Sequence, residues 1–290
     1  MKCVILGKDG QLGLDLQHTA PTAVSISAYG HDMFDIRDSN SIATIIEAEK
    51  PNVIINVAAY TDVDRAELEP SMAFEVNAQG PLNVANVAKK NHSRLLHLST
   101  DYVFDGNSSK PYRPGDKVNP LNIYGQSKLL GEQNLLKVGG ADVQIVRTSG
   151  IYSKHGRNFV KSILSKAQSQ KEIRVVADQI GSPTWSRNLA YGIWALLNQQ
   201  IATRIVHLTD SGSASWYEFA CAICEKAISL GIVKNGLTLS PVASEDYPCA
   251  AARPSFSVLD NTQTQELLDR VGESWRTGLH NMLTDYKACS

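Results

Sequence analysis

Residues 1–13 read MKCVILGKDGQLG. A short β-branched run, KCVILG (2–7), ends in glycine, and GKDGQLG (7–13) then opens a helix. Gly7 suits a tight turn, Gly10 the close approach of backbone to a diphosphate, and Gly13 the packing of helix on strand. The helix start adds free N–H groups and the positive end of a dipole. The spacing is G-x-x-G-x-x-G rather than G-x-G-x-x-G, and a glycine trio alone only marks a turn. Its place after an N-terminal strand and before a helix makes it a dinucleotide site.

Working outward, the same alternation repeats. AVSISAY (23–29), NVIINVAA (52–59), RLLHLST (94–100) and DVQIVRTS (142–149) complete a set of five strands. Helical patterns lie between them at SNSIATIIEAEK (39–50), with Ser39 as N-cap, and at PSMAFEVNAQGPLNVANVAKKN (70–91). Strands apolar on both faces and separated by helices predict an α/β fold, a Rossmann-like, doubly wound parallel sheet covered on both sides. Beyond 150 the order loosens. A helix at FVKSILSKAQSQ, a strand at 172–178, an amphipathic helix at 186–200 and a strand at 205–210 stand among Pro and Gly clusters at 181–183 and 236–254. The expected organisation is a NAD(P)-binding Rossmann domain over 1–150, joined by 186–210, interleaved with a smaller C-terminal α/β substrate-binding portion over 151–290.

Bulk composition excludes several classes. A net charge of −1 without basic clusters gives no footprint for nucleic acid or an anionic membrane. No apolar run approaches the roughly 20 residues that span a bilayer. Five cysteines at irregular spacings fit a reducing compartment, so the expected location is cytoplasmic. Cys221 and Cys224 form a C-x-x-C on a helix opened by a capping box of Ser215 and Glu218. With no second pair or nearby His, helix packing is the better reading of them than redox or zinc chemistry.

The chemistry concentrates in two stretches. VNPLNIYGQSKLLGE (118–132) places Tyr124 and Lys128 four residues apart, on one helical face. A lysine ammonium beside a phenol favours phenolate and draws the tyrosine from about 10 toward working pH, which suits general acid/base work. LSTDYVFDG (98–106) ends the fourth strand with Thr100, whose hydroxyl suits a substrate oxygen. Small Ala58 and Ala59 at the third strand's end let a cofactor cross the sheet edge. The second strand ends at SAYGHD without an acid at its tip, while Lys8 and His31 favour a phosphate, so the expected cofactor is NADPH, with NADH as the alternative. Asp35 and Ile36 are candidates to border the adenine.

GKDGQLG, NVAAYTDVDRAE, STDYVFDG, PLNIYGQSKLLGE, IVRTSGIY, DQIGSPT and ARPSFSVL together resemble the dTDP-4-dehydrorhamnose reductase family of the extended short-chain dehydrogenase/reductase superfamily, over nearly the whole chain. The resemblance implies a nucleotide-sugar substrate and reduction of a C4 keto group. It implies Thr100, Tyr124 and Lys128 as catalytic residues, with Lys128 also holding the nicotinamide ribose. Gly10, Gln11, Leu12, Asp35, Ile36, Ala58, Ala59 and Tyr60 match cofactor contacts, beside Gly7 and Gly13 of the loop. Thr100 and Asp101 match positions facing the sugar, with Tyr102 nearby, Asn77 an asparagine supporting the active-site backbone, and Arg253 a candidate for the nucleotide diphosphate.

Two departures from the family are visible. Gly150 stands where some members carry a tryptophan near the sugar. Asp15 matches one ligand of a magnesium site through which some members dimerise, but Arg187 stands where another acid is expected; no metal is therefore expected, and a homodimer stays open. Two rivals also stay open: an epimerase of the same superfamily, and a non-catalytic NADP-binding regulatory subunit resembling the beta subunit of methionine adenosyltransferase. A dehydratase is disfavoured because Tyr102, not an acid, follows Asp101.

Overall fold

The apolar runs assemble as parallel strands. In the computed structural model, which describes residues 1–138, 142–199, 203–234, 237–269 and 272–289, β1 (Lys2–Leu6), β2 (Ser25–Tyr29), β3 (Val53–Asn56), β4 (Arg94–Thr100), β5 (Val143–Thr148) and β6 (Ile205–His207) form one sheet. Its order is β2-β1-β3-β4-β5-β6, with every pairing parallel. The chain leaves β1 toward β2 and then returns to β3, so the direction reverses between β1 and β3. At such a switch point the loops diverge and leave a crevice at the carboxyl ends of the strands. The glycine loop and the segment after β3 flank that crevice.

Alternate residues of each strand feed opposite layers. Cys3, Ile5, Ile55, Leu96 and Val146 pack with Leu12, Leu16 and the helix Ser186–Leu197 on one face. Val4, Leu6, Ile54, Leu95 and Ile145 pack with the helices Ser39–Glu49 and Gly80–Lys90 on the other. The helix expected over 186–200 thus ends at Leu197, with residue 200 outside the described residues. Segments 186–197 and 205–207 return late in the chain to the first layer and the sheet.

Two helix readings change. Asp38 rather than Ser39 caps the second helix, accepting from Asn40 N at 2.9 Å. The single helix expected over 70–91 is three pieces: Pro70–Phe74, a wider π turn at Glu75–Gln79, and Gly80–Lys90. Pro81 has no N–H to donate to the Asn77 carbonyl four residues back, and the ladder widens at that point.

A second core lies C-terminal. Tyr152, Ile163, Phe219, Ile223, Trp275 and Met282 join helices Phe159–Ser169, Trp216–Ser229 and Trp275–Ala288. These cover a parallel strand pair, Glu172–Val176 with Thr238–Val242. The Ser215–Glu218 capping box is formed in both directions, Cys224 is buried in this core, and the cysteines are unbridged. Among the described residues no helix is long and apolar enough to cross a membrane.

Candidate active site

Between the sheet's carboxyl edge and the second core runs a cleft of about 490 Å³. Gln11, Ala59, Thr100, Tyr124 and Lys128 line one side, and Gln179, Trp216 and Phe219 line the other.

The glycine loop fits a diphosphate on its own geometry. Gly7 adopts φ +102, and a Cβ there would lie 2.8 Å from Ala58 N; one at Gly13 would lie 2.1 Å from Gly7 O. At Gly10 the nearest atom to such a Cβ is 3.5 Å away. Space is thus open where a phosphate would approach the helix Gln11–His18, whose N-cap is Gly10 with no side chain on its first N–H groups. The Leu12 side chain is in the core, which leaves only its backbone facing the loop.

The tip of β2 differs from the sequence-based expectation. No acid follows the strand directly, yet folding brings two there. Lys8 Nζ pairs with Asp32 at 3.2 Å, and Asp9 packs so closely on Gly30 that a Cβ there would lie 2.0 Å from its carboxylate. Asp35 is paired with Arg37 at 2.6 Å on the surface, and Ile36 is buried against Gly80. Neither lines the cleft, nor does Tyr60, whose hydroxyl donates to Glu69 at 2.8 Å.

Tyr124 is held by its helix start. Asn122 caps Ile123–Lys137, accepting from Gly125 N at 2.8 Å while its amide donates to Ala252 O at 2.7 Å. Asn77, on the π turn, accepts from Tyr60 N and donates to Tyr60 O and Ser127 Oγ; Ser127 in turn donates to Tyr124 O at 2.8 Å. One asparagine thereby ties the segment after β3 to the helix that carries Tyr124.

The electrostatics correct one expectation. Burial pushes the Tyr124 phenol up to about 12, Asp101 adds to the rise, and the Thr100 hydroxyl opposes it. Lys128 does not draw it down. Its ammonium nitrogen contacts Leu98 O at 2.6 Å and His97 Nε2 at 3.3 Å, and burial lowers it to about 8. Thr100 donates to Asp101 Oδ1 at 3.0 Å and accepts from Tyr102 N at 3.2 Å. Asp101 also accepts from Ser149 at 2.8 Å and is bonded by Ser257; burial nevertheless raises it above the usual carboxylate range.

Tyr102 stands edge-on to Tyr124, ring centroids 5.9 Å apart, and bonds Arg253. Arg253 is not on the cleft wall; its guanidinium pairs with Asp64 at 2.7 Å, on the helix Val63–Leu68. Gly150 lines the cleft at φ +54, with the Ser182 carbonyl 3.1 Å from where a Cβ would sit, so a large side chain there would be strained. Asp15 accepts from Ser153 and Ser186 and lies 3.6 Å from Arg187 Nε. Among the described residues Asp15, His18 and His155 have ligand atoms within 4.8 Å of one another, with that guanidinium beside them.

Sequence reading missed Ser149 and Ser257, which hold Asp101, and the pair Asn56 and His97 behind Lys128. His97 carried a signal: a polar residue inside the apolar run of a central strand.

A parallel sheet with a glycine loop at its switch point, and a tyrosine and lysine at its carboxyl edge, defines the extended short-chain dehydrogenase/reductase class. The family model described as RmlD substrate binding domain matches residues 1–288, and the chain belongs to that family. It is 38% identical to the dTDP-4-dehydrorhamnose reductase of Aggregatibacter actinomycetemcomitans, covering 97% of this chain and 98% of that one. It is 36% identical to the spore coat polysaccharide biosynthesis protein SpsK of Bacillus subtilis, covering 98% and 97%. The crystal structure of dTDP-4-dehydrorhamnose reductase from Bacillus anthracis in complex with NADP superposes with a TM-score of 0.91 at 35% identity, covering 98% of this chain and 99% of that one.

Proposed function

We propose that this chain reduces the C4 keto group of a nucleotide-linked 6-deoxy-4-ketohexose, dTDP-4-dehydro-L-rhamnose to dTDP-L-rhamnose first among them. NADPH is the cofactor, with NADH as the alternative. Relatives of full length carry that activity in their names, and one was solved with NADP. The observation that carries the reading is Tyr124: a protonated phenol beside Thr100, on the wall of a cleft that begins at an open phosphate loop. We assign residues 1–150, with 186–210, to the cofactor and the rest of 151–290 to the sugar nucleotide; residues 200–202 within that span lie outside the described residues.

When bound, the nicotinamide supplies the hydride to sugar C4. Tyr124 passes its hydroxyl proton to the C4 oxygen as negative charge develops there, and the resulting phenolate regains a proton from solvent. A phenol held near 12 is fully loaded at neutral pH, the state a reductase needs before transfer. Thr100 serves the keto oxygen by turning its proton away from Asp101, and Lys128 meets the nicotinamide ribose. The Gln11, Leu12 and Gly13 N–H groups hold the diphosphate, and Arg253 reaches the substrate diphosphate only by leaving Asp64. With Arg187 beside Asp15, no metal bridge is assigned.

Mixing the protein with NADPH and a panel of nucleotide keto-sugars tests this. Loss of NADPH absorbance equal to the keto-sugar consumed supports reduction. Keto-sugar conversion without net NADPH loss points to epimerisation. Cofactor binding with no conversion of any keto-sugar returns the chain to the regulatory-subunit reading.

A further inference from the structure

Behind the cleft a chain of buried groups runs from β3 through β4 to the Tyr124 helix. Ala58 N donates to Asn56 Oδ1 at 3.1 Å, Asn56 Nδ2 meets His97 Nδ1 at 3.2 Å, and His97 Nε2 meets Lys128 Nζ at 3.3 Å. Lys128 Nζ also donates to Leu98 O at 2.6 Å. Asn56 and His97 are wholly buried, so neither can turn to water, while Lys128, 2% exposed, reaches the cleft wall.

The donors dictate the protons. A backbone N–H can only donate, so the Asn56 carboxamide turns its oxygen to Ala58 and its NH₂ to His97. That NH₂ can only donate, so His97 Nδ1 carries no hydrogen. Burial alone suffices to hold the imidazole neutral, as the largest cause of a value well below its ordinary one. The ring proton therefore sits on Nε2 and points at Lys128. An ammonium has no lone pair to accept it, whereas an amine does.

We propose that His97, oriented by Asn56, is a positioning residue that weakens the hold of Lys128 on its proton in the ligand-free site. The consequence for turnover rests on the reductase reading above. Where Lys128 is uncharged, nothing favours the Tyr124 phenolate, and the proton stays on the tyrosine. When Lys128 takes a proton from solvent, it loses the bond to His97, keeps Leu98 O, and turns its remaining N–H groups to the cleft. The charge that eases proton departure from Tyr124 then arrives with the conformation that meets the ribose. Burial, partly opposed by Glu132, lowers Lys128 to about 8, and the imidazole N–H pushes the same way as burial. The charged groups facing this pair are few. Glu132, one turn further along the helix, favours the ammonium, but Arg147 and Ser99 occupy its oxygens; Asp101, beyond β4, acts on Tyr124.

Long-range ¹H–¹⁵N correlation spectra of the histidine rings in the ligand-free parent protein read the tautomer without turnover. The expected result is an Nε2–H tautomer for His97 from pH 6 to 9, with the Lys128 ¹³Cε resonance titrating at or below about 8. An Nδ1–H or doubly protonated ring, or a Lys128 midpoint near the ordinary ~10.4, overturns the proposal and leaves the reductase reading standing. Asn56→Asp sharpens it, because a carboxylate accepts from both neighbours. His97 should switch to Nδ1–H, and the Lys128 midpoint and the alkaline limb of kcat/KM should both move up by at least tenfold in proton concentration. A folded variant whose tautomer does not switch also overturns it. If that variant does not fold, the parent spectra decide alone.

Discussion

The helix Ile123–Lys137 buries two charged side chains four residues apart and treats them in opposite ways. Glu132 is 1% exposed and fully matched: Arg147 reaches it through Nε at 2.9 Å and through a second nitrogen at 2.7 Å, and Ser99 adds a third bond at 2.5 Å. Arg147 is itself satisfied by Pro114 O and stacked over Phe104. Lys128, equally buried, meets a carbonyl and an imidazole among the described residues. A bidentate pair with its remaining groups bonded locks the helix onto β4 and β5. A lysine without a carboxylate stays responsive, its charge decided by what enters the cleft. One turn of helix separates a fastener from a switch.

Breaking each end should fail differently. Tyr124→Phe, at the responsive end, removes one hydroxyl; kcat should fall by about 10²–10⁴-fold with melting temperature and NADPH affinity nearly unchanged. Turnover within threefold of the parent in single-turnover hydride transfer would remove its role as proton donor. Arg147→Met, at the fastened end, strands a buried carboxylate and should cost about 3–5 kcal/mol of stability in urea unfolding. Activity per folded molecule should change far less than in Tyr124→Phe. A loss below about 1 kcal/mol would show that Glu132 finds another partner.

Lys128→Met gives a smaller effect with a definite sign. Unfolded lysine titrates near ~10.4 and the native group near 8. Between those values the unfolded chain binds more protons, so the parent gains stability as pH rises. The burden is fully present below pH 8 and is lifted as pH climbs through the unfolded value. The methionine variant has none to lose. From pH 7.5 to 10.5 the parent should therefore gain about 3 kcal/mol on the variant, whatever their difference at the start. A constant difference would mean that Lys128 titrates alike in both states.

The same contrast explains what the sequence made legible. Short continuous apolar runs, the glycine loop and Tyr124–Lys128 spacing are local patterns, and the sheet, its switch point and the cleft follow from them. Asp101 was read as facing the sugar, and it lines the cleft; what stayed hidden is that Ser149 and Ser257, 48 and 156 positions away in sequence, hold its oxygens. Neither serine announces that partner. Lys128 was expected to tune the phenol, an inference from i,i+4 spacing that placed both groups on one face but could not say which way the amine turns. The π turn was hidden because Asn77 and Pro81 act through a missing backbone bond, not through hydrophobic pattern.

A second ion pair, exposed at the tip of β2, marks the weak end of the comparison. Lys8 and Asp32 meet at 3.2 Å with Asp32 mostly solvent-exposed. Such a pair is worth about 0–1 kcal/mol, so it holds Lys8 lightly. Yet it stands where a 2′-phosphate would need a cation and where a carboxylate would repel it. Asp32→Asn releases Lys8 and removes that repulsion, while NADH, with a hydroxyl in place of the phosphate, feels little of either. The ratio of NADH to NADPH dissociation constants should therefore rise by about two- to fivefold, within the range of one exposed pair, and the gain should shrink in high salt. Isothermal calorimetry with both cofactors, at low and high ionic strength, reads it. Parent protein binding NADH tenfold tighter than NADPH would reject the cofactor preference altogether. An unchanged ratio in Asp32→Asn would show that Lys8 does not receive the phosphate and that His31 or backbone alone must.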